Sequence, residues 1–181
     1  FTDPRDGRLT DAAVAGNGYS ATRPVGTLVI GSGATVELTD GAQGRFDQRG
    51  RFTAETVMLL DQARLTHPIA TPTAQFGLEL VVSNTLSVDP TSTIDVSGRG
   101  YLGGRVSGIG DVGRTLGNTA VGGSARRSGG SYGGLGASGS GDPVVNAVYG
   151  DYANPNELGS GGGSDSNGGG NGGGLVRITA G

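Results

Sequence analysis

The sequence contains no cysteine and no excess of basic residues, and each absence excludes a class of site or partner. Without cysteine the chain forms no disulfide bond, no thiolate metal site and no cysteine nucleophile. Its 13 basic residues are all arginine and are outnumbered by 16 acidic residues, which gives a net charge of -3. Because nucleic-acid binding depends on a basic surface that displaces counterions, we expect no nucleic-acid partner.

Long hydrophobic runs are also missing, and only 34% of the residues are hydrophobic. No apolar run approaches the roughly 20 residues that a membrane-spanning helix needs, so we expect no membrane span. The sequence starts at Phe1 without a signal peptide, which indicates a processed product or a piece of something longer.

Apolar pairs separated by one residue recur along the first half of the chain and indicate short β-strands. In residues 78–96 three such pairs follow one another at eight-residue intervals: Leu78/Leu80, Leu86/Val88 and Ile94/Val96. Two steps of 21 residues lead back from Leu78/Leu80 to Val57/Leu59 and then to Val36/Leu38, which indicates a 21-residue repeat. Strand-like alternation at a fixed period is typical of a solenoid. The pattern therefore predicts an all-β chain, a short β-helix with about 21 residues per turn, and very little helix.

Glycine divides the chain unevenly, with 10 glycines in residues 1–97 and 28 in residues 98–174. We expect an N-terminal cap region at 1–26, β-solenoid turns at 27–97, a glycine-rich insertion at 98–174 and a closing strand at 175–181. The insertion has two interpretations. Glycine and serine tracts are usually flexible linkers, but recurring bulky residues favour an ordered lobe of polyglycine-II-like segments with three residues per turn.

Two apparent motifs have structural explanations. The run Gly98–Gly103 has the form G-x-G-x-x-G of a dinucleotide fingerprint, but that site needs a following helix, which this glycine-rich sequence does not favour. His67 is the only histidine, it precedes Pro68, and no nucleophile elbow accompanies it. We expect a chance match in the first case and a structural or solvent-exposed histidine in the second.

Acidic residues provide the enzymatic alternative. Asp40 and Asp61 are one predicted repeat apart, so a 21-residue turn would stack them about 4.8 Å apart. A solvated corner with Arg64 as partner is favoured over catalysis or calcium binding. A polysaccharide lyase or hydrolase using Asp40, Asp61 and Glu79 is the least favoured function.

A tyrosine-rich stretch supplies the candidate binding site. Aromatic rings beside carboxylate and amide groups suit glycan binding, and the residues concerned are Tyr132, Tyr149, Asp151, Tyr152 and Asn154. Oxygen-bearing side chains at 151–157 have a calcium-like composition, but their spacing matches neither an EF-hand nor a calcium-binding nonapeptide. We therefore predict no cofactor, with Ca²⁺ as a weak alternative.

Several stretches of the second half give the chain a recognisable resemblance. They are IDVSGRGYLGG at 94–104, GGSYGGLG at 129–136, VYGDYANPNELGSGGG at 148–163 and GGNGGGLVRITA at 169–180. With them the chain resembles the repeat units of very large, glycine-rich bacterial cell-surface or secreted β-helix proteins. The resemblance implies an extracellular or cell-surface setting, a right-handed β-helix and a structural or adhesive role, and it supplies no catalytic residues.

The leading hypothesis is thus a non-enzymatic structural module of a surface protein or fibre, associating with itself or with neighbouring repeats of a longer chain. The alternative is an adhesin or glycan-binding module that recognises a surface polysaccharide.

Overall fold

The computed structural model describes residues 25–38, 48–141 and 143–181. These residues are all-β with almost no helix, as predicted; the one helical element is a 3-10 turn at Val106–Gly108. The strands are β1 (Val25–Ile30), β2 (Thr35–Glu37), β3 (Gln48–Leu59), β4 (Arg64–Thr66), β5 (Phe76–Val88), β6 (Thr93–Ile94) and β7 (Val176–Ala180).

The strands form two parallel sheets, and the chain passes from one sheet to the other at each successive strand up to β6. One sheet has the order β1-β3-β5-β7 and the other has the order β2-β4-β6. Four-residue corners at 31–34, 60–63 and 89–92 make the passages. The first two corners turn through residues with positive φ, among them Gly33 and Asp61, where glycine and aspartate are tolerated better than β-branched residues.

The strand register corrects the predicted 21-residue repeat. Leu28 lies opposite Val57, Val57 opposite Leu86, and Leu65 opposite Ile94, with the same 29-residue offset in each case. The offset is 28 before the bulge between Ala54 and Thr56. The two repeats are easily confused because Val57 follows Leu28 at the 29-residue offset and follows Val36 at the 21-residue offset.

Two strands are longer than the sequence predicted. β5 runs without a break through Leu78/Leu80 and Leu86/Val88, which were expected to form separate strands. β3 begins at Gln48, nine residues before the apolar pair Val57/Leu59 that predicted it. Parallel pairing with the long β5 extends β3 in this direction, because the backbone groups of residues 48–54 find partners along residues 76–82.

One apolar core is built from both sheets. Its buried members are Leu28, Ile30, Val36, Leu38, Phe52, Ala54, Val57, Leu59, Ala63, Leu65, Leu78, Leu80 and Val82. Each fully buried Val, Leu or Phe side chain contributes about 1.5–3 kcal/mol by removing apolar surface from water. Matched inner positions on successive strands therefore hold the two sheets together.

Residues 98–174, which we call the lobe, lie between β6 and β7. Three of its extended segments, at 100–104, 159–163 and 169–174, exchange backbone hydrogen bonds in a cycle. The N–H of Tyr101 donates to Gly159, the N–H of Gly159 to Gly173, and the N–H of Gly172 back to Tyr101. The same cycle recurs three residues further along the first two segments, through residues 104, 162, 169 and 170. These backbone hydrogen bonds hold the three segments directly against one another.

Candidate functional site

Tyr132 and Tyr149 form a packed pair in the lobe. Their rings meet edge to face, with centroids 5.3 Å apart and an interplanar angle of 87°. The Tyr149 hydroxyl donates to the carbonyl oxygen of Leu158 at 2.5 Å and accepts from Ser160 Oγ at 3.0 Å. Burial raises the pKa of Tyr149. Both rings are partly covered, so this pair mainly supports the surface around it.

Tyr152 is the exposed ring of the predicted site, with 83% of its surface accessible. Asp151 and Asn154 beside it in sequence are exposed as well, and Asp151 Oδ1 accepts the N–H of Ala153 at 2.8 Å, which shapes the loop. Tyr152 approaches the backbone at Gly133 closely. The structure therefore brings Tyr152 beside the turn that follows Tyr132.

A buried polar cluster centred on Asn146 underlies this region. The Asn146 side chain is 1% exposed, and its Oδ1 accepts from Ser124 Oγ at 2.9 Å and from the N–H of Ser131 at 2.7 Å. Its Nδ2 donates to Thr115 Oγ1 at 3.1 Å and to Ser160 Oγ at 3.0 Å. One amide thus joins four separate segments of the lobe, a role that the sequence did not indicate.

Strands β1 to β6 and their connections, which we call the coil, contact the lobe through a second apolar cluster. Tyr101, Leu158, Leu175 and Ala70 are buried together, with Tyr149 packed against them. Burial, with a contribution from Glu157, raises the pKa of Tyr101 to about 12. Gly100 and Gly103, from the G-x-G-x-x-G run, contact the backbones of neighbouring segments so closely that a Cβ would overlap them. Close packing of backbones accounts for these glycines.

His67 follows β4 and is completely buried. Its Nδ1 lies 2.8 Å from the carbonyl oxygen of Pro68, and its Nε2 lies 3.3 Å from the backbone nitrogen of Leu175. Burial lowers the pKa of His67, an effect that the Pro68 carbonyl opposes and Arg99 reinforces. The histidine therefore has a structural environment, one of the two expected for it.

Two of the acidic residues proposed for catalysis, Asp61 and Glu79, lie in the described part of the chain. Asp40 lies outside the described residues, and the 29-residue register removes the reason to place it opposite Asp61. Arg64 pairs with Asp95 at 2.9 Å, which differs from its expected pairing with Asp61. The N–H of Asp61 donates to Asp89 Oδ2 at 2.5 Å, and Glu79 lies within β5.

In the part of the chain that the structure describes, no group of three or more histidine, cysteine, aspartate or glutamate side chains is arranged to hold a metal ion. Asp151, Asn154 and Asn156, suggested by sequence as calcium ligands, are exposed, and Glu157 is partly covered.

A second surface, which the sequence did not reveal, lies at one end of the apolar core. Inward-facing residues of paired strands form columns through the core, and these columns stop there. Four inner residues with no exposed surface, Val57, Leu59, Leu65 and Leu80, lie opposite Leu86, Val88, Ile94 and Ile178, respectively. Val88 is 40% exposed and Ile178 is 43% exposed, while Leu86 and Ile94 are partly buried. We call the four residues Leu86, Val88, Ile94 and Ile178 the open end.

Comparison with known proteins returned no relatives: no family model, no curated protein and no solved structure matches the chain. No helix within residues 25–38, 48–141 and 143–181 is long and apolar enough to cross a membrane.

Proposed function

We propose that this chain is a non-enzymatic structural module of an extracellular surface protein or fibre, built as a short β-helix that carries a glycine-rich lobe. Regular passage between two parallel sheets supports the β-helical winding. So does the 29-residue offset that recurs in both sheets, because a chain that advances by one strand spacing per turn repeats its register. A rod of this kind suits a load-bearing or spacing role.

The lobe adds a second stiff element under this proposal. Its hydrogen-bond cycle repeats every three residues, which supports polyglycine-II-like packing because that conformation has three residues per turn. Many glycines are in contact with neighbouring backbones at positions where no side chain fits, including Gly103, Gly161 and Gly172. These contacts favour the ordered lobe over the flexible linker.

The open end is the observation that carries the proposal furthest. A β-helix core that stops at partly exposed Val88 and Ile178 presents apolar surface and strand edges to water, and strand edges promote pairing with further strands. The occupant that fits is another coil of the same architecture, since it alone continues all four columns in register. We propose that a neighbouring module of this kind stacks there.

Sedimentation velocity over a range of concentrations, followed by negative-stain electron microscopy, tests the stacking. We expect end-to-end association of the unaltered chain, and its loss in Ile178→Asp, because a carboxylate would be buried between two apolar surfaces. Val121→Asp is the matched control, since Val121 is 84% exposed in the lobe. A monomer at high concentration, or equal association of both variants, would contradict stacking through the open end.

Glycan binding is the second candidate, and the exposure of Tyr152 favours it. An accessible ring stacks on the apolar face of a sugar, and Asp151 and Asn154 supply hydrogen-bonding groups nearby. Binding to a polysaccharide array should be lost in Tyr152→Ala and retained in Leu135→Ala, which removes exposed apolar surface from the neighbouring turn. Absence of binding to any surface polysaccharide would exclude this candidate.

A further inference from the structure

His67 joins the coil to the strand that follows the lobe. The residue comes directly after β4, whereas its Nε2 contacts the backbone of Leu175, immediately before β7. The ring also lies against Gly174, where any Cβ would overlap Nε2. A single buried imidazole thus lies at the point where the chain leaves the lobe and joins the sheet.

The two partners of the ring define its protonation. A carbonyl oxygen only accepts, so Nδ1 must carry a hydrogen and donate it to Pro68 at 2.8 Å. A backbone N–H only donates, so Nε2 must be bare to accept from Leu175 at 3.3 Å. The site therefore requires the neutral tautomer with hydrogen on Nδ1.

The charged groups around the His67 ring do not stabilise the positive charge that a second ring proton would add. Among the described residues the charged groups acting on the imidazole are Arg99 and Glu37. They already form an ion pair at 2.6 Å, and the same Arg99 nitrogen donates to the His67 carbonyl oxygen at 2.8 Å. A hydrogen on Nε2 would point at the N–H of Leu175, which is itself a donor.

We propose that His67 is an acid-sensitive latch that holds Leu175 and β7 on the coil when neutral and releases them when protonated. Release would uncover residues 78–82 of β5, because β7 pairs with that part of the strand. The N–H of Leu78 donates to the carbonyl oxygen of Leu175 at 2.8 Å, so the bond next to the latch reports on its opening.

The direction of the pH dependence follows from proton linkage. Because burial lowers the pKa of folded His67 below the ordinary 6.5, the released state binds the proton more readily than the latched state. The latch is fully closed above pH 6.5 and weakens as the pH falls below that value. The opening equilibrium constant should rise by up to about tenfold per pH unit until the folded pKa is reached.

Hydrogen–deuterium exchange of the intact chain at pH 7.5 and pH 5.5, corrected for intrinsic exchange rates, tests the latch. We expect faster exchange at Leu78 and in residues 175–181 at pH 5.5. In His67→Gln the side-chain amide retains an acceptor near Nε2 without titrating, so acidification should leave the corrected exchange unchanged. Equal acid response in both proteins, or none in the unaltered chain, would overturn the proposal.

A second measurement keeps the test decisive if the variant does not fold. His67 is the only histidine, so long-range ¹H–¹⁵N spectra of the unaltered chain report its ring without assignment. The expected spectrum at pH 7.5 shows hydrogen on Nδ1 and a bare Nε2. Hydrogen on Nε2, or a ring that becomes protonated without any change in exchange at Leu175, would refute the latch.

Discussion

Two adjacent glycines give the sharpest test of the lobe. Gly172 donates its N–H to Tyr101 at 2.9 Å, and its carbonyl oxygen accepts from Gly100 at 2.8 Å. A Cβ at Gly172 would overlap the carbonyl oxygen of Gly159 and lie 2.8 Å from that of Ser160. At Gly173 the same addition meets nothing within 4 Å. The two glycines are adjacent in the same segment, but only Gly173 has space for a side-chain methyl group.

The expected effects therefore have opposite signs. In Gly172→Ala the colliding atoms are backbone, which cannot swing aside, so overpacking costs about 1–3 kcal/mol. Displacing the segment also weakens two backbone hydrogen bonds worth about 1 kcal/mol each. We expect a loss of about 3–5 kcal/mol in the free energy of unfolding. Gly173→Ala should stabilise by about 0.4–1 kcal/mol, because alanine reduces the entropy of the unfolded chain.

Urea and thermal unfolding of the two variants measure this difference. For a chain of this size a change of about 1 kcal/mol shifts Tm by about 2–4 °C, so Gly172→Ala should lower Tm by about 6–20 °C. A flexible linker would respond identically to both substitutions. Equal unfolding curves for the two variants would therefore refute the packed lobe and restore the linker interpretation.

Two further predictions concern polar groups. Asn146→Leu should lower the free energy of unfolding by about 3 kcal/mol or more in urea unfolding, because the hydroxyls of Ser124 and Thr115 lose a buried partner; an unchanged midpoint would contradict the network. Asp89 should titrate near its lowered pKa of about 2, which results mainly from the bond donated by the N–H of Asp61. This contribution to stability is present above pH 3.8 and lost as the pH falls towards 2; carbon-detected NMR measures the pKa, and titration near 3.8 would contradict the bond.

The β-strands were predicted well from the sequence, because the alternation of apolar and polar residues along a strand has a direct physical cause. Side chains at Leu28, Ile30, Leu78 and Leu80 face inward at every second residue, whatever the length of a turn. The 21-residue repeat was wrong, because residues paired between neighbouring strands are 29 apart. Eight-residue intervals between apolar pairs make offsets of 21 and 29 match the same residues, and only the observed register separates them.

The lobe and the candidate site were less accessible to sequence reasoning. Glycine content permits both a linker and a packed lobe, since the difference lies in which backbones meet. Asn146 contacts residues between 115 and 160 at irregular separations, so no periodic signal identified it. The tyrosines were identified as candidates because they are aromatic. Composition could not distinguish the accessible ring of Tyr152 from the partly covered ring of Tyr149.

The two ends of the lobe meet, and this has a consequence for the order of folding. The N–H of Gly174 donates to the carbonyl oxygen of Val96 at 2.9 Å, so the chain leaves the lobe beside the point where it enters. In an unfolded lobe, β7 would have to find β5 by closing a long loop, at an entropic cost that grows with loop length. Once the lobe has condensed, its ends already deliver β7 to the sheet. We therefore expect β7 to join the coil only after the lobe has formed, so that folding of the glycine-rich lobe controls completion of the four-stranded sheet.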